Sequence, residues 1–375
     1  MAEPRPGLPT ILREWGRIGC IGFGGPPTHI ALLRRLCVEE RGWMTATDFE
    51  DAVAACNLLP GPASTQLAIY CAWRLRGRAG ALVGGLAFIV PGLVLILALA
   101  ALFLSASPPD WVRGAGAGAG AAVAAVAVQA GRSLVPGSWS RTPARVRWLV
   151  YAVAGGVSAA TIGPWLVLVL LGCGAVELAL RGRRLRLAAL APATVASGGL
   201  LSLVWVAFKV GALSYGGGFV IVPLMQNDAV NHYHWMTGGQ FLNAVALGQI
   251  TPGPVVLTVG VVGYAAAGLG GGLLATLVAF SPSFAFVLAG GSRFDRIRGD
   301  RRARTFLDGA GPAAIGAIFG SAIPLARALA ETWQYGVLAA AAVLLLALRR
   351  GVVQTLVAAA AVGVAVALAG GPLPH

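Results

Sequence analysis

Twelve predominantly apolar runs, near 8–36, 45–73, 79–104, 111–131, 148–162, 164–180, 188–226, 239–265, 268–291, 305–330, 333–348 and 351–370, take up most of this 375-residue chain. An α-helix needs about 20 such residues to cross the hydrocarbon core of a bilayer. Water offers no alternative fold for so many. Only 11% of the residues are charged, against roughly a quarter in a soluble domain, so a soluble surface could not be covered. A soluble enzyme, a disordered chain and a disulfide scaffold are thereby excluded. The expectation is an all-α polytopic membrane protein, because only helices or closed barrels satisfy the backbone within lipid.

The formal net charge of +14 does not point to nucleic acid. The basic residues stand in short clusters between apolar runs: Arg34 and Arg35; Arg74, Arg76 and Arg78; Arg132 to Arg147; Arg181 to Arg186; Arg293 to Arg304; Arg349 and Arg350. Such clusters mark cytoplasmic loops. The five cysteines form no C-x-x-C pair and read as small buried hydrophobes. No cofactor or metal site is expected. Residues 1–16 lack the apolar core of a cleavable signal peptide.

Parity tests the topology. Two spans fit between Arg78 and Arg132, with Pro108, Pro109 and Asp110 as the outer turn, and two between Arg147 and Arg181, divided at Gly163 and Pro164. Between Arg41 and Arg74 the chain must leave and return with one segment. That segment is expected to be a re-entrant hairpin, broken at Leu59, Pro60, Gly61 and Pro62. Broken backbone at membrane depth belongs where protein or a polar cavity surrounds it.

The chain also repeats itself. Arg17 and Gly19 match Lys209 and Gly211, an offset of 209 − 17 = 192. At the same offset Phe23, Gly24 and Gly25 match Tyr215, Gly216 and Gly217, and Trp43, Met44 and Thr45 match Trp235, Met236 and Thr237. Asn57 lies over Gln249, and Pro60, Gly61 and Pro62 over Pro252, Gly253 and Pro254; further on, Phe88 is laid over Phe280. The basic loops 34–41 and 74–78 have partners, 226–233 and 266–270, without Lys or Arg. By the positive-inside rule the copies insert in opposite directions. The expected architecture is two inverted-topology repeats with broken helices and re-entrant hairpins, 1–186 and 187–375, the plan of secondary transporters.

Each copy carries two breakers, a glycine run and a Pro-Gly-Pro turn. The first run is Phe23, Gly24, Gly25 and Pro26; its counterpart is Tyr215, Gly216, Gly217 and Gly218. Each breaker precedes a helix-compatible stretch, so four half-helix N-termini would offer unpaired N–H groups to an anion. Asn57, Ser64, Thr65, Gln66, Gln249, Thr251 and Thr258 would add neutral donors. Arg17 and Lys209 are candidates for balancing a dianion, or for snorkelling to the interface. Asp48, Glu50 and Asp51 occur in the first copy only. Asp48 and Asp51 are candidates for carrying a coupling proton, or are solvated acids of a helix's first turns. His232 and His234 read as a polar loop rather than a metal site. No nucleotide-binding or hydrolase motif is present, so the chain reads as neither an ATPase nor an enzyme.

The glycine run from Gly22 to Pro26, the Trp43–Thr45 triplet, the Leu59–Pro62 turn and their second copies resemble the chromate ion transporter family in its long, two-domain form. The resemblance covers about 17–92 and 209–284. It implies a multi-pass protein of the bacterial plasma membrane, with lipid on all sides, that exports chromate by exchange against protons or another ion. Sulfate, nearly isosteric with chromate, is the alternative substrate, a channel the alternative mechanism, and a homodimer an open possibility. The second copy departs from the pattern, with Gly218 where Pro26 stands.

Overall fold

The structure, a computed structural model, describes residues 6–57, 59, 61–140, 144–161, 166–181, 199–214, 219–290 and 301–374. They form fourteen α-helices and no strand. These are α1 Leu8–Ile21, α2 Pro26–Arg34, α3 Ala46–Cys56, α4 Ala63–Phe103, α5 Asp110–Trp139, α6 Arg145–Thr161 and α7 Leu166–Leu180, then α8 Leu200–Leu213, α9 Ile221–Gln226, α10 Gly238–Ile250, α11 Thr258–Gly290, α12 Arg301–Arg327, α13 Thr332–Ala342 and α14 Val352–Leu368. Helices over Ala63–Phe103, Asp110–Trp139, Val255–Gly290 and Arg304–Arg327 are long and apolar enough to cross a bilayer. The chain is an all-α, multi-pass membrane protein.

Local structure recurs with the sequence. The Trp-Met-Thr triplets lead into equivalent caps: Thr45 Oγ1 accepts from the Asp48 amide at 3.1 Å, and Thr237 Oγ1 accepts from the Gln240 amide at 3.2 Å. Gln240 closes the second cap by accepting from the Thr237 amide at 2.8 Å. Wide π-type turns span Arg35–Glu40 and Asn227–His232, in loops that the sequence places at 34–41 and 226–233.

The Pro-Gly-Pro turn breaks the helix as the sequence requires. α3 stops at Cys56 and α4 starts at Ala63. α4 is itself a hairpin: Arg76 (φ −140°, ψ 26°) and Gly77 (φ 58°, ψ −145°) reverse the chain, and Gly80 returns against the Ala72 carbonyl. α11 does the same at Ala267 and Gly268 (φ 61°, ψ −156°), with Gly271 against the Gly263 carbonyl. Both glycines occupy backbone space that side chains essentially exclude. The first limb of α4, 63–75, is only about 20 Å long, too short to cross the membrane alone.

These hairpins correct the sequence register. Gly61 and Gly253, both with positive φ, are 192 apart, but Gly77 and Gly268 are 191 apart. Phe88 therefore corresponds to Ala279, not Phe280. Gly19 packs against the Phe88 carbonyl as Gly211 packs against that of Ala279. The second copy has one residue fewer because it enters by a 3₁₀ turn, Val255–Leu257, which rises more per residue than an α-helix.

The chain forms two compact units. The first comprises Met1–Ser105, Ala207–Gly218 and Leu247–Gly299; the second comprises Ala106–Val206, Phe219–Ala246 and Asp300–His375. Each draws on both halves of the sequence. Within the second unit small residues let backbones approach: Gly114 and Gly118 of α5 meet Gly363 and Ala359 of α14, and Gly316 and Gly320 of α12 meet Ala152 and Gly156 of α6. Within the first unit the copies pack reciprocally. Gly61 of the first lies beside Ser283 of the second, and Gly253 of the second beside Gly92 of the first. In register Ser283 and Gly92 are equivalents, so this is one contact made twice, as a pseudo-twofold relation demands.

Candidate functional site

The two breakers of the first copy and the Pro-Gly-Pro turn of the second meet in the first unit. α1 ends at Gly22, and its carbonyl is shared. It accepts from the Gly253 amide at 3.1 Å and from His29 Nε2 at 2.8 Å. His29 Nδ1 lies 3.2 Å from Ser64 Oγ, in the first turn of α4. This set ties the glycine run, the α4 N-terminus and the second copy's turn together.

Beside it is the Gly61 niche, where Gln66 and Ser283 close on the backbone of Gly61. Its φ of +121° favours glycine, and a Cβ there would stand 2.6 Å from Gln66 Nε2 and 3.3 Å from Ser283 Oγ. Thr65, Gln66 and Ser283 are fully buried. The hydroxyls of Thr65 and Ser283 have no hydrogen-bond partner among the described residues, nor has Gln249 Nε2 or Ser214 Oγ. A buried hydroxyl without a partner costs about 1–3 kcal/mol. Several in one unit, all able to donate, suit an acceptor-rich ligand. The α4 N-terminus adds to them. Pro62 O takes the amides of Thr65 and Gln66 at 3.0 Å each, and those of Ala63 and Ser64 have no partner among the described residues.

The second copy does not reproduce this polarity. At Gly253 a Cβ would meet Leu257 at 3.3 Å and Gly92 at 3.8 Å. Leu257 replaces Gln66 and Gly92 replaces Ser283, while Val255 and Val256 stand for Ser64 and Thr65 in the shortened turn. One pole of the pseudo-twofold site is polar and the other apolar.

Other residues expected from the sequence fall as follows. Phe23 and Gly24 are exposed, Gly25 is buried and Pro26 half-buried. The α2 N-terminus is a weaker anion site than its position suggests. Pro26 and Pro27 have no N–H, and the His29 amide is taken by the Gly25 carbonyl at 3.2 Å. Thr251 and Thr258 donate their hydroxyl protons to the Leu247 and Val255 carbonyls, both at 2.8 Å. Asn57 is exposed, whereas Gln249 is buried. Pro60, Tyr215, Gly216, Gly217 and Gly218 lie outside the described residues.

Arg17 is brought to carboxylates. Its side chain is 56% exposed, 3.6 Å from Glu14 and 3.8 Å from Glu40. Glu14, buried in α1, also pairs with Arg13 at 3.0 Å and Arg41 at 3.2 Å. Lys209 is half-buried. Asp48 is exposed, bonded to the capping Thr45 hydroxyl at 2.9 Å and 3.7 Å from Arg74; Asp51 is half-buried. No group of three or more His, Cys, Asp or Glu among the described residues is arranged to hold a metal.

Sequence reasoning passed over His29, Ser283 and Glu14. These three are unshared: Ile221, Gly92 and Val206 stand in their places. A polar residue in one apolar copy only was the available signal.

The chain is 33% identical over 325 residues to the chromate transport protein of Cupriavidus metallidurans, covering 83% of this chain and 80% of that one. It is 30% identical over 350 residues to the chromate transport protein of Pseudomonas aeruginosa, covering 88% and 84%. A probable chromate transport protein of Synechococcus elongatus is 28% identical over 347 residues, covering 87% and 86%. No solved structure matches the chain. The model of one family, described as chromate transporter, matches residues 9–178 and again 201–366, two stretches that begin 201 − 9 = 192 residues apart. The chain belongs to the chromate transporter family.

Proposed function

We propose that this protein is a secondary carrier that moves chromate out of the cell, in a cycle coupled to protons or to another ion. The niche at Gly61 carries this reading. It brings the Gln66 amide and the Ser283 hydroxyl to Gly61, beside the N-terminus of α4, whose first turn also carries the buried Thr65 hydroxyl, with no carboxylate among these groups. A tetrahedral dianion offers only acceptors, and each hydrogen bond to its charge would contribute about 1.5–3 kcal/mol. The relatives named for chromate transport point to the same cargo.

Two inverted repeats, 1–186 and 187–375, supply the alternating-access machinery. Basic loops at 34–41 and 74–78, against partners without Lys or Arg at 226–233 and 266–270, support the inversion. A bacterial inner membrane is the setting. Sulfate is the second reading, because the niche is built of neutral donors that do not distinguish it from chromate.

The test is flux in proteoliposomes. Radiolabelled chromate should accumulate against its gradient under an imposed ion gradient, stop when that gradient is dissipated, and be displaced by unlabelled chromate. Passive equilibration unaffected by the gradient would make the protein a channel, and no flux would remove the transport reading.

A further inference from the structure

We infer that His29 is a positioning residue that takes up a proton when the oxyanion binds; the inference rests on the oxyanion reading of the Gly61 niche. His29 is completely buried, yet both ring nitrogens are engaged. The Gly22 carbonyl can only accept, so Nε2 carries a hydrogen across the 2.8 Å contact. Nδ1 of the neutral ring then accepts from the Ser64 hydroxyl at 3.2 Å. The Phe88 ring packs edge-on at 5.0 Å.

Three elements thus close on the ring: the α1–α2 break with a carbonyl, the first turn of α4 with a hydroxyl, and its second limb with a phenyl ring. None of these groups is charged. A proton entering here has one vacancy, Nδ1. Once occupied, Nδ1 donates, and Ser64 must turn from donor to acceptor. The Ser64 hydroxyl hydrogen is then free for a new partner, two residues from Gln66 at the edge of the niche. The imidazolium also adds a positive charge behind the α4 N-terminus.

Both changes favour an anion, so proton and oxyanion assist each other's binding. The second copy cannot do this, having Ile221 in place of His29 and Val255 and Val256 at its corresponding turn. The polar pole and the proton-accepting residue therefore belong to the same copy.

Proton uptake on adding sulfate to the purified, weakly buffered full chain tests this, because sulfate itself binds no proton near neutrality. Where His29 is neutral in the free protein and protonated in the complex, the wild type should take up close to one proton per sulfate bound, and sulfate affinity should fall about tenfold per pH unit. His29→Gln, whose amide can still donate to Gly22, should bind sulfate without proton uptake and with a flat pH profile. Nitrogen-15 histidine spectra of the wild type should show Nδ1 gaining a proton with sulfate, a readout independent of whether the variant folds. Sulfate binding without proton uptake, or unchanged uptake in His29→Gln, would overturn the inference while leaving the oxyanion site standing. Absence of both sulfate and chromate binding would remove the site itself, and this inference with it.

Discussion

The Gly253 amide donates to the Gly22 carbonyl across 3.1 Å, joining the Pro-Gly-Pro turn of one copy to the glycine run of the other. Gly253 holds a φ of +99° with Leu257 at 3.3 Å from where a Cβ would stand. Gly253→Ala should therefore cost about 1–2 kcal/mol and lower the melting temperature in detergent. Gly336→Ala, in an exposed helical turn of α13 with open space around it, should raise stability by roughly 0.5–1 kcal/mol. Equal effects would contradict the strained-turn account.

Thr65→Val and Ser283→Ala should separate stability from binding. Each removes a buried hydroxyl that has no partner among the described residues, so the ligand-free protein should be as stable or more so. Each should weaken oxyanion affinity about tenfold, the loss of a hydrogen bond to a charged acceptor. A thermal-shift series with and without sulfate reads both. Lower stability without ligand and unchanged affinity would assign the two hydroxyls to packing.

Glu14 should matter to stability more than the arginines around it. It is 4% exposed and meets Arg13, Arg17 and Arg41. Glu14→Gln leaves these cations crowded without their carboxylate and should cost about 3 kcal/mol or more. Arg13→Gln, whose side chain is 75% exposed, should change stability by no more than about 0.5 kcal/mol. Chemical denaturation of the two variants distinguishes a buried ion-pair hub from a solvated cluster.

Inversion of the copies predicts opposite labelling at their hairpin tips. Cysteines at Arg78 and Gly270, next to the reversals at Gly77 and Gly268, should react with an impermeant maleimide from opposite faces of oriented vesicles, in a background lacking the native cysteines. Labelling from one face would make the copies parallel.

Much of this was legible in the sequence, for identifiable reasons. Pro60, Gly61 and Pro62 end a helix whatever surrounds them, and the triplets repeated at Trp43 and Trp235 lead into equivalent caps. Arg74, Arg76 and Arg78 marked the loop in which α4 reverses at Gly77. The one-residue slip was hidden, because Val255 to Leu257 look like any apolar stretch and nothing in them signals a 3₁₀ turn. That slip concealed the equivalence of Ser283 with Gly92. For Thr251 and Thr258, residue type shows that a hydroxyl can donate, but not that it donates to the carbonyl one turn back. Arg17 stood open between balancing a dianion and snorkelling, and what residue type does not show is that Glu14, one helical turn earlier, and Glu40 supply it with carboxylates.

The most direct test of the account is equilibrium binding of radiolabelled chromate to the purified protein, wild type beside the Thr65→Val, Ser283→Ala double variant. Saturable binding that sulfate displaces, weakened on the order of a hundredfold in the double variant, is the result expected of a dianion seated at the Gly61 niche. Wild-type affinity in the double variant would contradict it and move the substrate elsewhere in the chain.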